Sequence, residues 1–290
     1  MMRGLLSHPS ARFGLAVLLL LALATGAASW IERELGVDAQ SIDILAQLAP
    51  PSWSHPLGTD DVGRDLLVRL LRGGQISLVV GLATALVAAL LGTLIGLTAG
   101  YLGGPADALL MRLTDGVIAL PLLPVLIVLG AVDPTKLGLP ADAFRSEWAG
   151  LGRIVVIIGL VGWTTSARLV RAAALSVKVQ DFVRAAEALG AGPLHIMARH
   201  ILPNVVQPMI VATTLSIGNI ILLESALSFL GLGVQPPLPS WGNMLSNALD
   251  QLYNAPALAL WPGASIFLTV LAFNLLGDGL QDTLDPRGGR

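Results

Sequence analysis

Ionisable side chains are sparse in this 290-residue sequence, and three groups of them have types and spacings that bear on chemistry. Glu224 closes the apolar run "NIILLE". A carboxylate in such a run is a functional candidate by default, because an unpaired charge in an apolar medium is costly. Two roles are open to it: a proton relay, or a structural role capping the "SALSFLGLG" turn or pairing with an arginine. Asp107, Met111 and Asp115 recur every four residues and share a helical face, and Arg112 stands three before Asp115, within reach of an ion pair. The stretch "DFVRAAEALGAGPLHIMARHILPN" (181–204) carries Arg184, Glu187, His195, Arg199 and His200. His195 and His200 are five apart and do not share a helix face, so they do not read as a zinc pair. There is no cysteine, which removes thiolate metal sites, disulfides and a cysteine nucleophile. No HExxH, no GxSxG and no GxxxxGK[ST] occurs, so neither hydrolytic chemistry nor Walker-type ATP binding is expected of this chain. The chain reads as a non-enzyme that binds no cofactor of its own.

The elements that must position these residues are apolar. Hydrophobic residues make up 54% of the sequence and charged residues 12%, against about 25% charged in soluble domains. No basic stripe with interleaved aromatics is present, which argues against nucleic acid. Crossing ~30 Å of hydrocarbon takes about 20 apolar residues in a helix. Six segments qualify: 13–29, 77–100, about 113–132, 154–169, 205 to about 223, and about 260–276. The expected fold is therefore all-α and polytopic, with about six transmembrane helices. Gly, Ala, Ser and Thr recur in the second, fourth and fifth spans, which suits close helix packing in lipid. The first span has a rival reading as a cleaved signal peptide, with Arg3 and Arg12 before it and "ATGAAS" at its end. Pro121 and Pro124 fall inside the third span, and each is expected to kink it. "GVQPPLPSWGNML" is expected as one compact external loop with Trp241 near the interface. The chain divides into residues 1–76, a helix plus an external segment, and 77–290, a five-helix core with a cytoplasmic loop at about 171–204.

Orientation follows from basic residues. With the N-terminus inside, the inner set is Arg3, Arg12, Arg112, Arg168, Arg171, Lys178, Arg184, Arg199, Arg287 and Arg290, ten of 17. The outer segments hold the other seven, with most of the acids, among them Asp142 and Glu147. Both termini are thus expected in the cytoplasm, and so is the 181–204 stretch. Read as helix, Phe182, Ala185, Ala186 and Leu189 form one apolar face, and Arg184 can pair with Glu187. Gly190 and Gly192 end this helix, and Pro193 starts a second, which Leu202-Pro203-Asn204 stops before the fifth span. Such a piece could rest on lipid as an interfacial helix. Its small residues suit a groove in a cytosolic partner better.

The stretch "RAAEALGAGPLHIMARHILPN" resembles the "EAA" loop of permease subunits of binding-protein-dependent ABC importers, in the dipeptide, oligopeptide and nickel branch. Arg184 stands where many members carry Glu. "HPLGTDDVGRDLLVRLLRGGQISL" (55–78), "GYLGGPADALLMRLTDGVIALP" (100–121) and "ESALSFLGLGVQPPLPSWGNML" (224–245) are similar to further segments of that branch. The resemblance implies the MetI-like transmembrane domain of type I importers in a bacterial inner membrane, with lipid around it. It implies a second related permease subunit, two ABC ATPase subunits carrying ATP and Mg, and an external solute-binding protein. Arg184, Ala185, Ala186, Glu187, Leu189, Gly190 and Ala191 would couple to the ATPase. Asp115, Pro121, Pro124 and Glu224 are candidates for pathway or structural roles, and the Asp107–Asp115 segment would contact the ATPase or tie spans two and three together. The rivals are an intramembrane enzyme, for which paired acids or histidine ligands are missing, and an ion-coupled secondary transporter, for which only Glu224 and Asp115 are available.

Overall fold

The computed structural model describes residues 8–138, 140 and 146–284. Arg3, Asp142, Arg145, Arg287, Arg290 and the side chain of Glu147, used above for orientation, lie outside the described residues. The elements are α1 (Pro9–Gly26), α2 (Ala28–Leu35), α3 (Leu66–Leu102), α4 (Gly104–Ala119), α5 (Leu122–Ala131), α6 (Glu147–Lys178) and α7 (Asp181–Ala188). They continue with α8 (Pro193–Phe229), α9 (Trp241–Ala248) and α10 (Ala257–Leu284). Among the described residues α1, α3, α6, α8 and α10 are each long and apolar enough to cross a membrane. The sixth apolar segment is the pair α4 and α5, bent by 87°.

The helices overrun the apolar segments because backbone hydrogen bonds and caps, not hydrocarbon thickness, end a helix. Helix α3 has 37 residues, about 55 Å at 1.5 Å per residue. It starts where the Asp65 carboxylate caps the Val68 amide at 2.8 Å, and it runs unbroken through the division drawn at 76/77. At its far end Gly103 turns the chain into α4. The α4–α5 break has a local cause. Pro121 disfavours helical backbone at the residue before it, and Leu120 is extended, at φ −76° and ψ 139°. Pro124 makes no kink of its own. It lies in the first turn of α5, where its missing N–H has no partner to lose.

A second correction concerns Pro203. The sequence predicts that Leu202-Pro203-Asn204 stops a helix, yet α8 continues through it. The Leu202 amide reaches back five residues to the Met197 carbonyl, and Met197–Ile201 forms a π turn. The Asn204 side chain donates to the His200 carbonyl at 2.7 Å. The proline widens one turn while its neighbours take up the freed carbonyl.

Close approach of α3 to α6 organises the bundle. Gly92, Gly96 and Gly100 lie one turn apart on α3 and face Trp163, Ser166, Ala167, Val170 and Ala174 of α6. A Cβ at Gly96 would sit 2.4 Å from the Ala167 carbonyl oxygen. Small residues at this spacing let backbones touch where lipid offers no hydrophobic drive. Helix α1 packs antiparallel on α10, where Gly14 meets Ala272, and α10 packs on α8. The described beginning of α1, the described end of α10 and helix α7 therefore share one end of the bundle. At the other end, the stretch between α2 and α3 is pinned in place. Asp60 accepts from Arg64 at 2.7 Å and faces Arg69 at 3.5 Å. Arg69 donates to the Ala39 carbonyl at 3.1 Å, and His55 contacts Asp65 at 2.9 Å. Arg72 pairs with Glu32 of α2.

These contacts give a direct test. Gly96→Leu must push α6 away from α3 and should destabilise the protein by about 1–3 kcal/mol. Gly116→Leu on α4, where a Cβ meets nothing within 4 Å, should leave the melting temperature of the detergent-solubilised protein within error of wild type. Equal melting temperatures for both variants would contradict this packing.

Candidate functional site

The short helix α7 projects from the end of the bundle that holds the described termini of α1 and α10. It begins after Gln180, and Val183 is its one fully buried side chain. Val183 enters an apolar cluster with Leu97 and Tyr101 of α3, Val170 and Ala174 of α6, and Ile196, Ile201 and Val205 of α8. Polar contacts reinforce this root. The Tyr101 hydroxyl donates to Glu187 at 3.3 Å. The Lys178 ammonium donates to the Tyr101 carbonyl at 2.5 Å and sits 5.4 Å from the centre of its ring. The helix ends in a Schellman closure: Ala191 N–H reaches the Ala186 carbonyl, Gly190 N–H reaches Glu187, and Gly190 takes φ +83°.

The structure places the sequence-predicted apolar face of α7 mostly on the outside. Phe182, Ala185 and Leu189 point outward, with Leu189 88% exposed, and only Ala186 of that set is half-buried. Val183 supplies the inward face instead. Glu187 bonds to Tyr101 and does not pair with Arg184, which is exposed. Leu194, at the start of α8, adds a further exposed apolar side chain, 79% accessible, beside the prong. The outcome is a rigidly rooted knob with an apolar, basic-edged outer surface.

Two ion pairs join α4 to α6. Asp107 takes a bidentate contact from Arg171, at 2.5 and 2.6 Å. Asp115 meets Arg168 at 2.5 Å, with both partners about half exposed. The expected Arg112–Asp115 pair is replaced by a cross-helix pair, because the 107/111/115 face is turned toward α6. The tie therefore runs between the third and fourth apolar segments, whereas the resemblance implied one between the second and third.

At the opposite end of α8, Glu224 is fully buried without a basic partner among the described residues. Its carboxylate accepts from Ser77 at 3.1 Å, Ser228 at 2.7 Å and Ser225 at 3.4 Å. Each of the first two hydroxyls accepts in turn from a backbone amide: Ser77 from Trp241 at 3.3 Å and Ser228 from Val234 at 2.9 Å. One carboxylate thus holds α3, α8, α9 and the 230–240 loop together. Trp241 is buried rather than interfacial, and its indole N–H donates to the Leu70 carbonyl at 2.9 Å. The segment expected as a single loop contains α9, because Ser240 and Asn243 form a capping box at its start. Sequence reasoning missed Ser77, Tyr101 and Lys178 in these roles. Each belongs to a helix distant in sequence from what it holds.

Two cavities open along α6 and α8. One, of about 440 Å³, lies between them and the bent α4–α5 pair. The other, of about 540 Å³, reaches α10 and the prong end of the bundle.

A bundle of close-packed apolar helices, with cavities between them and a rigid knob at one end, is the architecture of a membrane transport permease. The chain belongs to the family of inner-membrane components of binding-protein-dependent transport systems, which it matches over residues 92–289. It is similar to the glutathione transport system permease protein GsiD of Pectobacterium atrosepticum, 40% identical over 98% of this chain and 89% of that protein. It is also similar to the di/tripeptide transport system permease protein DppC of Pseudomonas aeruginosa, 41% identical over 94% and 87%. The oligopeptide transport system permease protein OppC of Bacillus subtilis is 36% identical over 97% and 87%. The chain is thus a membrane permease subunit of an ABC importer, working with an ATPase and a binding protein. Neither the family nor these relatives supports the ion-coupled alternative.

The Glu224 network separates its two readings. As a structural hub, Glu224→Ala leaves buried hydroxyls without their acceptor and should cost about 1–3 kcal/mol, read as a lowered melting temperature, while Glu224→Gln retains an acceptor and part of the stability. A relay would show the opposite pattern: transport lost in Glu224→Gln with the melting temperature unchanged.

Proposed function

We propose that this chain is one of two related permease subunits of a bacterial importer for peptides or similar small solutes delivered by an external binding protein. Two ATPase subunits carry ATP and Mg and supply the stroke; the chain itself contributes no catalytic group. The prong formed by Arg184, Ala185, Ala186, Glu187, Leu189, Gly190 and Ala191 seats in an ATPase groove. Both termini and the prong then lie in the cytoplasm. The observation that carries this reading is the pairing of an outward apolar surface at Phe182 and Leu189 with a buried root that touches α3, α6 and α8. A surface of that kind needs a protein partner, and a root of that kind passes displacement into three spans at once. Transmission requires that the ATPase bind one conformation better than the other, and closure of the ATPases supplies that difference. The relatives' printed substrates, glutathione, di- and tripeptides and oligopeptides, support the solute class.

Gly190 is the sharpest handle. Its surroundings are open, so a side chain would overpack nothing. Its φ of +83° is disfavoured for other residues by about 1–2 kcal/mol, so Gly190→Val should re-aim the prong without unfolding the bundle. The expected result is wild-type membrane abundance, retained ATP hydrolysis in the assembled transporter, and uptake reduced about tenfold, a change equivalent to about 1.4 kcal/mol. Gly190→Asn, which tolerates the left-handed conformation, should retain most uptake. Normal coupled uptake by Gly190→Val would sink the docking proposal. So would failure of Leu189→Cys, in a chain with no native cysteine, to crosslink to any ATPase cysteine.

A further inference from the structure

The two cavities along α6 and α8 share three lining residues, Thr165, Ser216 and Asn219. Thr165 lies near the midpoint of α6, and Ser216 and Asn219 lie within the apolar run of α8. Ser216 donates to the Ala212 carbonyl of its own helix at 2.7 Å. Thr165 and Asn219 are exposed, and neither side chain makes a hydrogen bond among the described residues. An amide and a hydroxyl left open within a span are strongly disfavoured in hydrocarbon, where no group can bond them. Such side chains face water, a solute or another polar surface. No Asp, Glu, Lys or Arg lines either cavity. Toward the prong end the polar lining continues through Gln207 and Gln281, again uncharged.

An Asn side chain offers two donors and a carbonyl acceptor, and Thr offers one donor and an acceptor. That combination matches an amide, which presents one N–H and one C=O. It does not match an isolated charge, which would call for a counter-charge. We propose that Asn219 and Thr165 form a neutral hydrogen-bonding waist in the solute path, which engages backbone amides of a peptide-like solute in transit and leaves its charged ends unanchored. The proposal rests on the import reading above and adds to it which atoms of the solute this chain reads. A waist of this kind favours passage, because an uncharged hydrogen-bonding site holds a solute too weakly to trap it.

The test has two arms, both in the assembled transporter. In the first, Asn219→Cys is exposed to a charged, membrane-impermeant methanethiosulfonate reagent with and without ATP, and modification of this chain is read by mass. Modification in at least one state is expected; protection in every state overturns the waist, since a side chain facing lipid or a partner helix stays unmodified. This arm needs no knowledge of the solute. In the second, uptake of tri-alanine and of its N-methylated analogue into proteoliposomes is compared. Wild type should favour tri-alanine, and Asn219→Leu and Thr165→Val should reduce its uptake at least fivefold, with ATP hydrolysis within twofold of wild type and the preference over the analogue narrowed. Unchanged tri-alanine uptake in both variants overturns the proposal, as does loss of the partner subunits from the Asn219→Leu complex, which would mark a subunit contact. If wild type takes up neither probe, tri-alanine is not a solute of this transporter, and the accessibility arm decides the waist by whether Asn219 faces an aqueous path.

Discussion

The contact between α3 and α6 sets the geometry of everything attached to it. Gly92, Gly96 and Gly100 admit the α6 backbone to within van der Waals distance of α3. That separation fixes the rotation of α6. Its inward face then carries Ala167, Val170 and Ala174 into the interior. Arg168 and Arg171, on adjoining positions, are thereby aimed at Asp115 and Asp107 of α4. The same alignment brings Leu97 and Tyr101 of α3 beside Val170 and Ala174 of α6, which makes the pocket that receives Val183 of the prong. A wider spacing would leave Val183 without its pocket and Glu187 without the Tyr101 hydroxyl.

The opposite end of the bundle is held by other chemistry. There the Glu224 carboxylate gathers serine hydroxyls from two helices, and through them the backbone amides of Trp241 and Val234. Hydroxyl donors satisfy a buried carboxylate with no arginine, and every polar atom in the chain of contacts has a partner. Packing at one end and a satisfied polar hub at the other make α3, α6 and α8 a stiff unit. The bent α4–α5 pair has most of its side chains exposed; two ion pairs tie α4 to α6, and α5 is held by buried Leu126 and by Arg153, which donates to the Gly130 and Val132 carbonyls. On the import reading, the cavity between this pair and the stiff unit lies where relative movement would open or close a path.

Several features were legible before any coordinates. The apolar segments found the membrane-crossing helices, and the glycines after Leu189 marked the end of the prong. The 107/111/115 spacing identified a real face of α4. What failed did so for physical reasons. Arg112 was the nearest base to Asp115 in sequence, but the helix turned that acid toward Arg168, far along the chain. The apolar face of α7 is legible as a docking surface, but its root is not: Val183 is buried only because α3, α6 and α8 converge on it. Pro203 read as a stop because a missing N–H ends most helices; here a π turn and the Asn204 side chain absorbed the defect. Pro121 and Pro124 looked equivalent, and only their positions relative to a helix start distinguished them.

By itself, the sequence determined the medium and the helical class: apolar runs of about 20 residues fit helices that cross a bilayer, and a helix satisfies its own peptide groups where lipid cannot. The tertiary structure decided which polar groups meet. Glu224 became a hub only when Ser77 arrived from α3. Asn219 and Thr165 came to face common cavities only when α6 and α8 packed side by side. Those partnerships depend on the rotation and spacing of helices far apart in the chain, and local periodicity carries information about neither.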